Sequence, residues 1–212
     1  MNEYVPGMVY INLLKLVEYR GAKLIGDPLT QNTLSQKLNH SEFVTISAER
    51  TDPDDIRGRG KFDIVLIAPK SKYATKSAEF KKLLKIIHKT KDKNEFLFIS
   101  EEIMTNYIHK QIAIFRAENP GIIVESQLYD IFMLELPKHS SIPRHELVST
   151  QTIDNFCISN YTLKQRLAKI LHTDPMAIWL GIRPGMCVKI YRLSETVGMS
   201  IEYKICIKTP KK

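Results

Sequence analysis

The sequence predicts an α/β protein built from two parts, and three observations support this prediction. Over the first 136 residues, apolar runs such as Phe62–Pro69 alternate with amphipathic stretches, a pattern typical of helices flanking a small central sheet. From Ile201 to Ile207, apolar and polar residues alternate with a period of two, which indicates a strand near the end of the chain. Pro137–Pro143 interrupts the periodicity between them, so we predict domains at 1–136 and 137–212.

The N-terminal elements begin with a helix over Met8–Arg20, which ends at Gly21. Phe43–Ile46 forms a short strand, Thr51–Gly60 a surface loop, and Phe62–Pro69 a buried strand that proline terminates.

A lysine-rich amphipathic helix follows, because Lys70–Lys93 holds nine lysines around an apolar stripe. Glu95–Ile99 is the next strand. Ser100 is placed to cap a following helix, because Glu101 and Glu102 would interact favourably with the positive N-terminal end of the helix dipole. The last predicted strands of this domain are Ile122–Glu125 and Ile131–Leu136.

The C-terminal elements are shorter. Thr150 is predicted to cap one helix, Thr162–Leu171 to form a second, and Asp174–Pro175 to begin a third. Pro184–Gly185 is a turn, and Val188–Ile190 and Ile201–Ile207 are strands. We expect a two- or three-stranded sheet packed by short helices.

Composition excludes several classes of function. No apolar run approaches the roughly 20 residues that span a bilayer, and the N-terminus lacks the pattern of a signal peptide, so we expect an intracellular protein without membrane contact. Three cysteines without C-x-x-C spacing favour buried thiols over a zinc site. The net charge is +8, and the segment from Lys138 onward carries twelve basic and five acidic residues. This charge favours an anionic partner.

The densest motif runs from Asp174 to Gly185 and continues through Val188–Arg192 and Ser194–Gly198. It resembles the C-terminal module of subunit 5 of nuclear RNA polymerases and of the archaeal counterpart of that subunit. Leu136–His139 looks like the entry of that module, and Tyr161–Ile170 is similar to one of its helices.

The N-terminal part is similar to the jaw domain of the eukaryotic and large-virus versions of that subunit. Pro184, Leu193 and Val197 depart from the family pattern, which suggests a divergent relative from a large DNA virus.

The resemblance implies a non-catalytic structural subunit of a DNA-directed RNA polymerase, without cofactor, metal or small-molecule substrate. It implies docking on the largest subunit near subunit 6, with the jaw flanking downstream duplex DNA without reading its sequence. It places the protein in the nucleus if it is cellular, and in the host cytoplasm and the virion if it is viral.

Two groups of candidate site residues follow from the motif and the basic helix. The candidate partner-docking residues are Trp179, Gly181, Arg183, Gly185, Lys189, Arg192, Ser194, Glu195, Thr196 and Gly198. The candidate DNA-backbone contacts are Lys72, Lys76, Lys82, Lys85 and Lys89.

Two alternatives stay open. A restriction-endonuclease-like nuclease needs a strand-end Asp and an acidic-x-Lys pair holding a divalent metal. Pro53–Asp54 and Glu79–Phe80–Lys81 have these residue types, but they are predicted in a loop and on a helix. A free-standing transcription or scaffold protein is the other alternative. It would cover the Ile201–Ile207 strand and the Gly181 turn within its own fold, whereas a polymerase subunit would bury them against a partner.

Overall fold

A computed structural model describes residues 4–88, 93–194 and 198–209 of the 212-residue chain. The chain separates into two compact units. The N-terminal unit comprises Met1–Pro53 and Arg59–Leu134, and the C-terminal unit comprises Asp54–Gly58 and Glu135–Lys212. The mixed α/β fold class that the sequence predicts is confirmed.

The N-terminal unit alternates helices and strands. In chain order they are α1 (Tyr4–Tyr19), β1 (Lys23–Leu24), α2 (Gln31–Ser41), β2 (Phe43–Arg50), β3 (Gly60–Ile67), α3 (Lys72–Thr75), α4 (Ser77–His88), β4 (Lys93–Ser100), α5 (Asn106–Glu118) and β5 (Ile123–Leu128).

Among the described residues these strands form a five-stranded sheet in the order β1-β2-β3-β4-β5. The first two pairings are antiparallel, and β3, β4 and β5 are parallel. Parallel neighbours need crossover connections, which α4 and α5 supply.

The core lies on both faces of this sheet, which explains why β3 and β4 are apolar without alternation. On one face Val65, Phe96 and Phe98 pack with Phe80 of α4 and Ile108 of α5. Residues of the opposite parity, such as Ile64, are also fully buried.

A buried carboxylate ties three elements of this unit together. Arg20, directly after α1, donates to Glu95 Oε1 at 2.6 Å, and Arg50 of β2 donates to Glu95 Oε2 at 2.8 Å. All three side chains are at most 4% exposed. The Arg50 guanidinium also lies 4.8 Å from the Phe62 ring centroid. Both arginines thus share one acidic group inside the fold.

The C-terminal unit contains β6 (Arg144–Val148), α6 (Thr150–Ser159), β7 (Ala168–Leu171), α7 (Pro175–Leu180), β8 (Cys187–Ser194) and β9 (Gly198–Ile207). Within the described residues the sheet order is β6-β8-β9-β7, with only the β7–β9 pairing parallel. The sheet has four strands rather than the two or three predicted, because β6 and β7 add to its edges.

Two predicted elements of regular structure are wrong. Residues 162–171 form a 3₁₀ turn (Lys164–Arg166) and strand β7 instead of a helix, because pairing with β9 overrides the helical spacing of the leucines. Leu163, which that helix would bury, is 60% exposed. Residues 131–136 are not a strand, because the chain leaves the sheet after β5 and forms 3₁₀ turns at Tyr129–Phe132 and Leu136–Lys138.

Several helices begin or end at other residues than the sequence predicts. Ser100 ends β4 instead of capping a helix, and α5 begins after Thr105. Ser149 rather than Thr150 caps α6, accepting from Thr152 N. The lysine-rich helix is divided into α3 and α4, because Lys76 has extended backbone between them. Helix α2 was not predicted, since its sequence is mostly polar. No helix in the described part of the chain is long and apolar enough to cross a membrane.

We predict that Glu95→Gln lowers the free energy of unfolding by about 3–5 kcal/mol, because it leaves two buried guanidinium groups without their shared counter-charge. Urea denaturation followed by circular dichroism measures this change. Glu118→Gln, at the exposed end of α5, is the matched control and should shift stability by at most about 0.5 kcal/mol. Equal stability of the two variants would contradict a structural role for the Glu95 charge.

Candidate functional site

The Asp174–Met186 segment is held by a dense set of local hydrogen bonds. The Asp174 carboxylate accepts from Met176 N at 2.8 Å and caps α7, as the sequence predicts. At the other end Gly181 has φ 64° and ψ 36°, and Ile182 N donates back to Ala177 O at 2.8 Å. Because the left-handed conformation disfavours side chains with a Cβ, glycine is the residue that ends this helix at low cost.

The turn after α7 is joined to the last strand. Gly185 N donates to Cys206 O at 2.9 Å, and Cys206 N donates to Met186 O at 2.8 Å. Met186 N also donates to Arg183 O at 3.0 Å. The turn therefore has a defined geometry relative to the sheet.

One face of the C-terminal sheet is only partly covered. Near one end, α6 packs on it, with Phe156 and Tyr203 ring centroids 4.3 Å apart and Cys157 and Cys187 in the same buried cluster. Toward the end of β8 the described residues leave this face open, and Leu193 is 91% exposed.

We call the uncovered part the outer sheet face, defined by Tyr191, Leu193, Met199 and Ile201. Leu193 is paired with Met199 and Tyr191 with Ile201, so all four side chains emerge on one side of the sheet. Met199 is 57% and Ile201 51% exposed. Contiguous exposed apolar side chains rimmed by polar ones are typical of protein interaction sites.

Cations surround the aromatic ring at the centre of this face. The Lys189 ammonium lies 4.6 Å and the Arg144 guanidinium 5.4 Å from the Tyr191 ring centroid. Tyr191 and Glu146 share a hydrogen bond of 2.8 Å. The neighbouring Tyr191 side chain raises the pKa of Lys189, so this amine is charged at neutral pH. The rim of the outer sheet face is therefore basic and contains one acidic group.

The predicted docking residues fall in different environments. Trp179 is fully buried, so its side chain is not exposed for a partner to contact. Gly181 and Arg183 are half-buried, and Gly185 is exposed at the turn.

The remaining predicted docking residues lie on the β8–β9 hairpin. Arg192 is exposed and pairs with Glu202 at 3.2 Å. Ser194 ends β8 opposite Gly198, the first residue of β9. Glu195 and Thr196 lie outside the described residues. The exposed apolar side chains Leu193, Met199 and Ile201 were not singled out as site residues, although Leu193 stands at a position where the family pattern has proline.

The predicted DNA-contact lysines divide into paired and exposed groups. Lys72 lies 2.9 Å from Glu42, and hydrogen bonds from Lys72 and Ser71 lower the pKa of that carboxyl. Lys82 pairs with Glu79 at 2.8 Å.

Lys76 and Lys85 are exposed, and neither has an ion-pair partner among the described residues. Lys89 lies outside the described residues. Lys81, which the sequence reasoning left out, is also exposed on α4.

The residues considered for a nuclease do not meet on strands. Asp54 lies in the β2–β3 connection, and Phe80 between Glu79 and Lys81 is fully buried on α4.

Two strand-borne carboxylates were missed by the sequence reasoning. Asp63 contacts Lys93 Nζ at 2.6 Å and Ser47 Oγ at 2.7 Å, whereas Glu95 binds two arginines. Phe62, the neighbour of Asp63, is paired with Glu95, so the two carboxylates emerge on opposite faces of the sheet. In the described ranges no group of three or more His, Cys, Asp or Glu side chains is placed to hold a metal ion.

A small sheet with an uncovered face and a separate α/β unit with a basic helix define a class of protein that works by contact within an assembly. Comparison with known proteins identifies that assembly. The family model described as RNA polymerase Rpb5, C-terminal domain, matches residues 134–206.

An African swine fever virus protein named DNA-directed RNA polymerase RPB5 homolog is 26% identical over 204 residues, covering 95% of this chain and 97% of its own length. The DNA-directed RNA polymerase subunit Rpo5 of Methanococcus maripaludis is 34% identical over 77 residues, covering 36% of this chain and 97% of its own. The chain belongs to the Rpb5 family of DNA-directed RNA polymerase subunits, which confirms the resemblance seen in the sequence.

We predict that Gly181→Ala lowers the stability of the C-terminal unit by about 1–2 kcal/mol, since alanine must adopt a left-handed conformation there. Trp179 is the one tryptophan of the chain, is buried and belongs to this unit, so its fluorescence during urea denaturation reports this change. Gly181→Asn is the matched variant. Asparagine is larger than alanine but tolerates positive φ better, so Gly181→Asn should lose less stability than Gly181→Ala. A greater loss with asparagine would point to crowding instead of backbone conformation.

Proposed function

We propose that this protein is a non-catalytic subunit that docks on the largest polymerase subunit through its C-terminal module, residues 137–212. The observation that supports this proposal best is the outer sheet face, where Leu193, Met199 and Ile201 are each more than half exposed. A free-standing scaffold protein would be expected to cover such a face within its own fold.

The chemistry of the outer sheet face suggests what its partner presents. Burial of the apolar side chains supplies the driving force, at roughly 25 cal/mol per Å². Arg144 and Lys189, which lie beside Tyr191 at the rim, favour acidic groups on the opposing surface. We propose a partner segment with an apolar centre and an acidic edge, with subunit 6 adjoining the same module.

The absence of a catalytic role is part of the proposal. The strand-borne carboxylates Asp63 and Glu95 are each engaged by lysine or arginine and so have lost the net charge that would attract a divalent cation. We propose that the protein acts wherever its polymerase assembles: the nucleus for a cellular enzyme, the host cytoplasm and virion for a viral one.

We further propose that the N-terminal jaw-like domain, residues 1–136, flanks downstream DNA with the lysines of α3 and α4. Lys72 and Lys82 each form an ion pair with a glutamate, which reduces the charge that they present to DNA. Lys76 and Lys85 are therefore better placed to contact phosphates. Lysines alone would bind the backbone without sequence preference.

We expect the double variant Leu193→Asp, Ile201→Asp to weaken binding to the largest subunit by at least about a hundredfold, because two apolar contacts of roughly 1.5 kcal/mol or more each are replaced by carboxylates. Co-expression followed by affinity purification and titration measures this loss. Ile103→Asp, at a site 77% exposed in the N-terminal unit, is the control and should bind normally. Normal copurification of the double variant would reject the outer sheet face as the docking site.

We expect Lys76→Ala with Lys85→Ala to weaken binding of duplex DNA by the assembled polymerase. The slope of log affinity against log salt should fall in magnitude by about 1.8, since each lost phosphate contact removes about 0.9. Fluorescence anisotropy at several salt concentrations measures the slope. The control is Lys23→Ala with Lys37→Ala, which removes the same charge from exposed sites on β1 and α2 and should leave the slope unchanged. An equal effect of both pairs would show a dependence on net charge alone.

A further inference from the structure

The C-terminal unit takes in five residues from a distant part of the sequence. Asp54–Gly58 connects β2 to β3, two strands of the N-terminal sheet, yet it belongs to the C-terminal unit. We call this segment the strap.

Arg57 is the residue through which the strap contacts α7. Its Nη1 donates to Leu180 O at 2.8 Å. Leu180 is the last residue of α7, and carbonyl groups in the last turn of a helix have no partner within the helix. A guanidinium at this end also suits the negative pole of the helix.

The Asp55 carboxylate fixes the orientation of the Arg57 guanidinium. Arg57 Nε and Nη2 donate to the two carboxylate oxygens of Asp55 at 2.9 and 3.1 Å, and Arg57 N donates to Asp55 Oδ1 at 2.8 Å. The side chains of Arg57 and Asp55 are 11% and 5% exposed. A two-pronged Arg–carboxylate pair shielded from water fixes the planar group in one direction.

A second hydrogen bond joins the strap to the residue on the other side of the turn. Arg183 Nη1 donates to Arg57 O at 3.4 Å. The strap thus holds residues on both sides of Gly181 and Ile182, where α7 passes into the turn that is bonded to β9.

The archaeal relative is too short to contain this arrangement. Its match covers 77 residues and 97% of its own length. Because Gly58 and Glu135 alone span 78 positions, that match cannot contain both the strap and the segment from Glu135 onward.

We propose that the strap is a positioning element for the docking module, and that Arg57 fixes the Gly181–Arg183 turn. The integrity of this module then depends on residues that stand in the sequence between β2 and β3. The link to docking rests on the function proposed above, whereas the structural link between Arg57 and the turn does not.

Hydrogen exchange on the free, full-length protein tests the structural link. Arg57→Ala should speed exchange of the Gly181 and Ile182 amides about tenfold, the ratio expected when one hydrogen bond to a charged group is lost. The amides of β4 should be unchanged. Arg59→Ala is the matched control, because Arg59 is exposed two residues away and carries the same charge. Equal exchange in the two variants would overturn the proposal.

A second variant and a second measurement keep the test decisive. Arg57→Lys retains the charge but cannot pair with Asp55 through two prongs while reaching Leu180 O, so it should give a smaller increase in exchange. Trp179 fluorescence checks that each variant is folded.

Binding to the largest subunit should weaken about fivefold to tenfold for Arg57→Ala and stay unchanged for Arg59→Ala. Faster exchange with normal binding would overturn the positioning role. Failure of the wild-type chain to bind would reject the docking function, while the exchange result would still decide whether Arg57 fixes the turn.

Discussion

Pairing of β9 on both of its edges is the constraint on which the C-terminal unit depends. Strand β9 binds β8 in antiparallel register from Gly198 to Ile205 and β7 in parallel register from Lys204 to Ile207. A slip of one residue would turn every side chain to the other face. The register therefore decides that Cys206 is buried while Met199 and Ile201 are exposed. It also sets the bonds that hold the turn after α7.

The N-terminal unit joins its elements through buried ion pairs. Two carboxylates lie inside the sheet, and each has at least one cationic partner within 2.8 Å. Ion pairs of this kind fix how neighbouring strands and helices meet: Glu95 joins β4 to β2 and to the residue after α1, and Asp63 joins β3 to β4.

The sequence predicts most of this fold, and its errors have identifiable physical causes. Capping by Asp174 and termination at Gly181 are local effects, and both predictions are confirmed. The helix predicted over residues 162–171 failed because its leucines fit either period, and the choice was made by β9, about 35 residues away. The outer sheet face was missed for the same reason, since alternation from Ile201 to Ile207 does not tell how far α6 extends over the strand. The role of Arg57 leaves no pattern in the sequence around it.

The strap has a consequence for the order in which the chain folds. Its contact with Leu180 joins residues 123 positions apart, and the entropy lost in closing a loop grows with its length. Most other contacts of the C-terminal unit lie within the segment after Glu135 and close much shorter loops. During synthesis, Asp54–Gly58 leaves the ribosome long before α7 has been made, so the strap cannot form its contact with Leu180 until then. The sheet of the C-terminal unit is therefore expected to form before the strap is seated, and completion of this unit is a late event in folding.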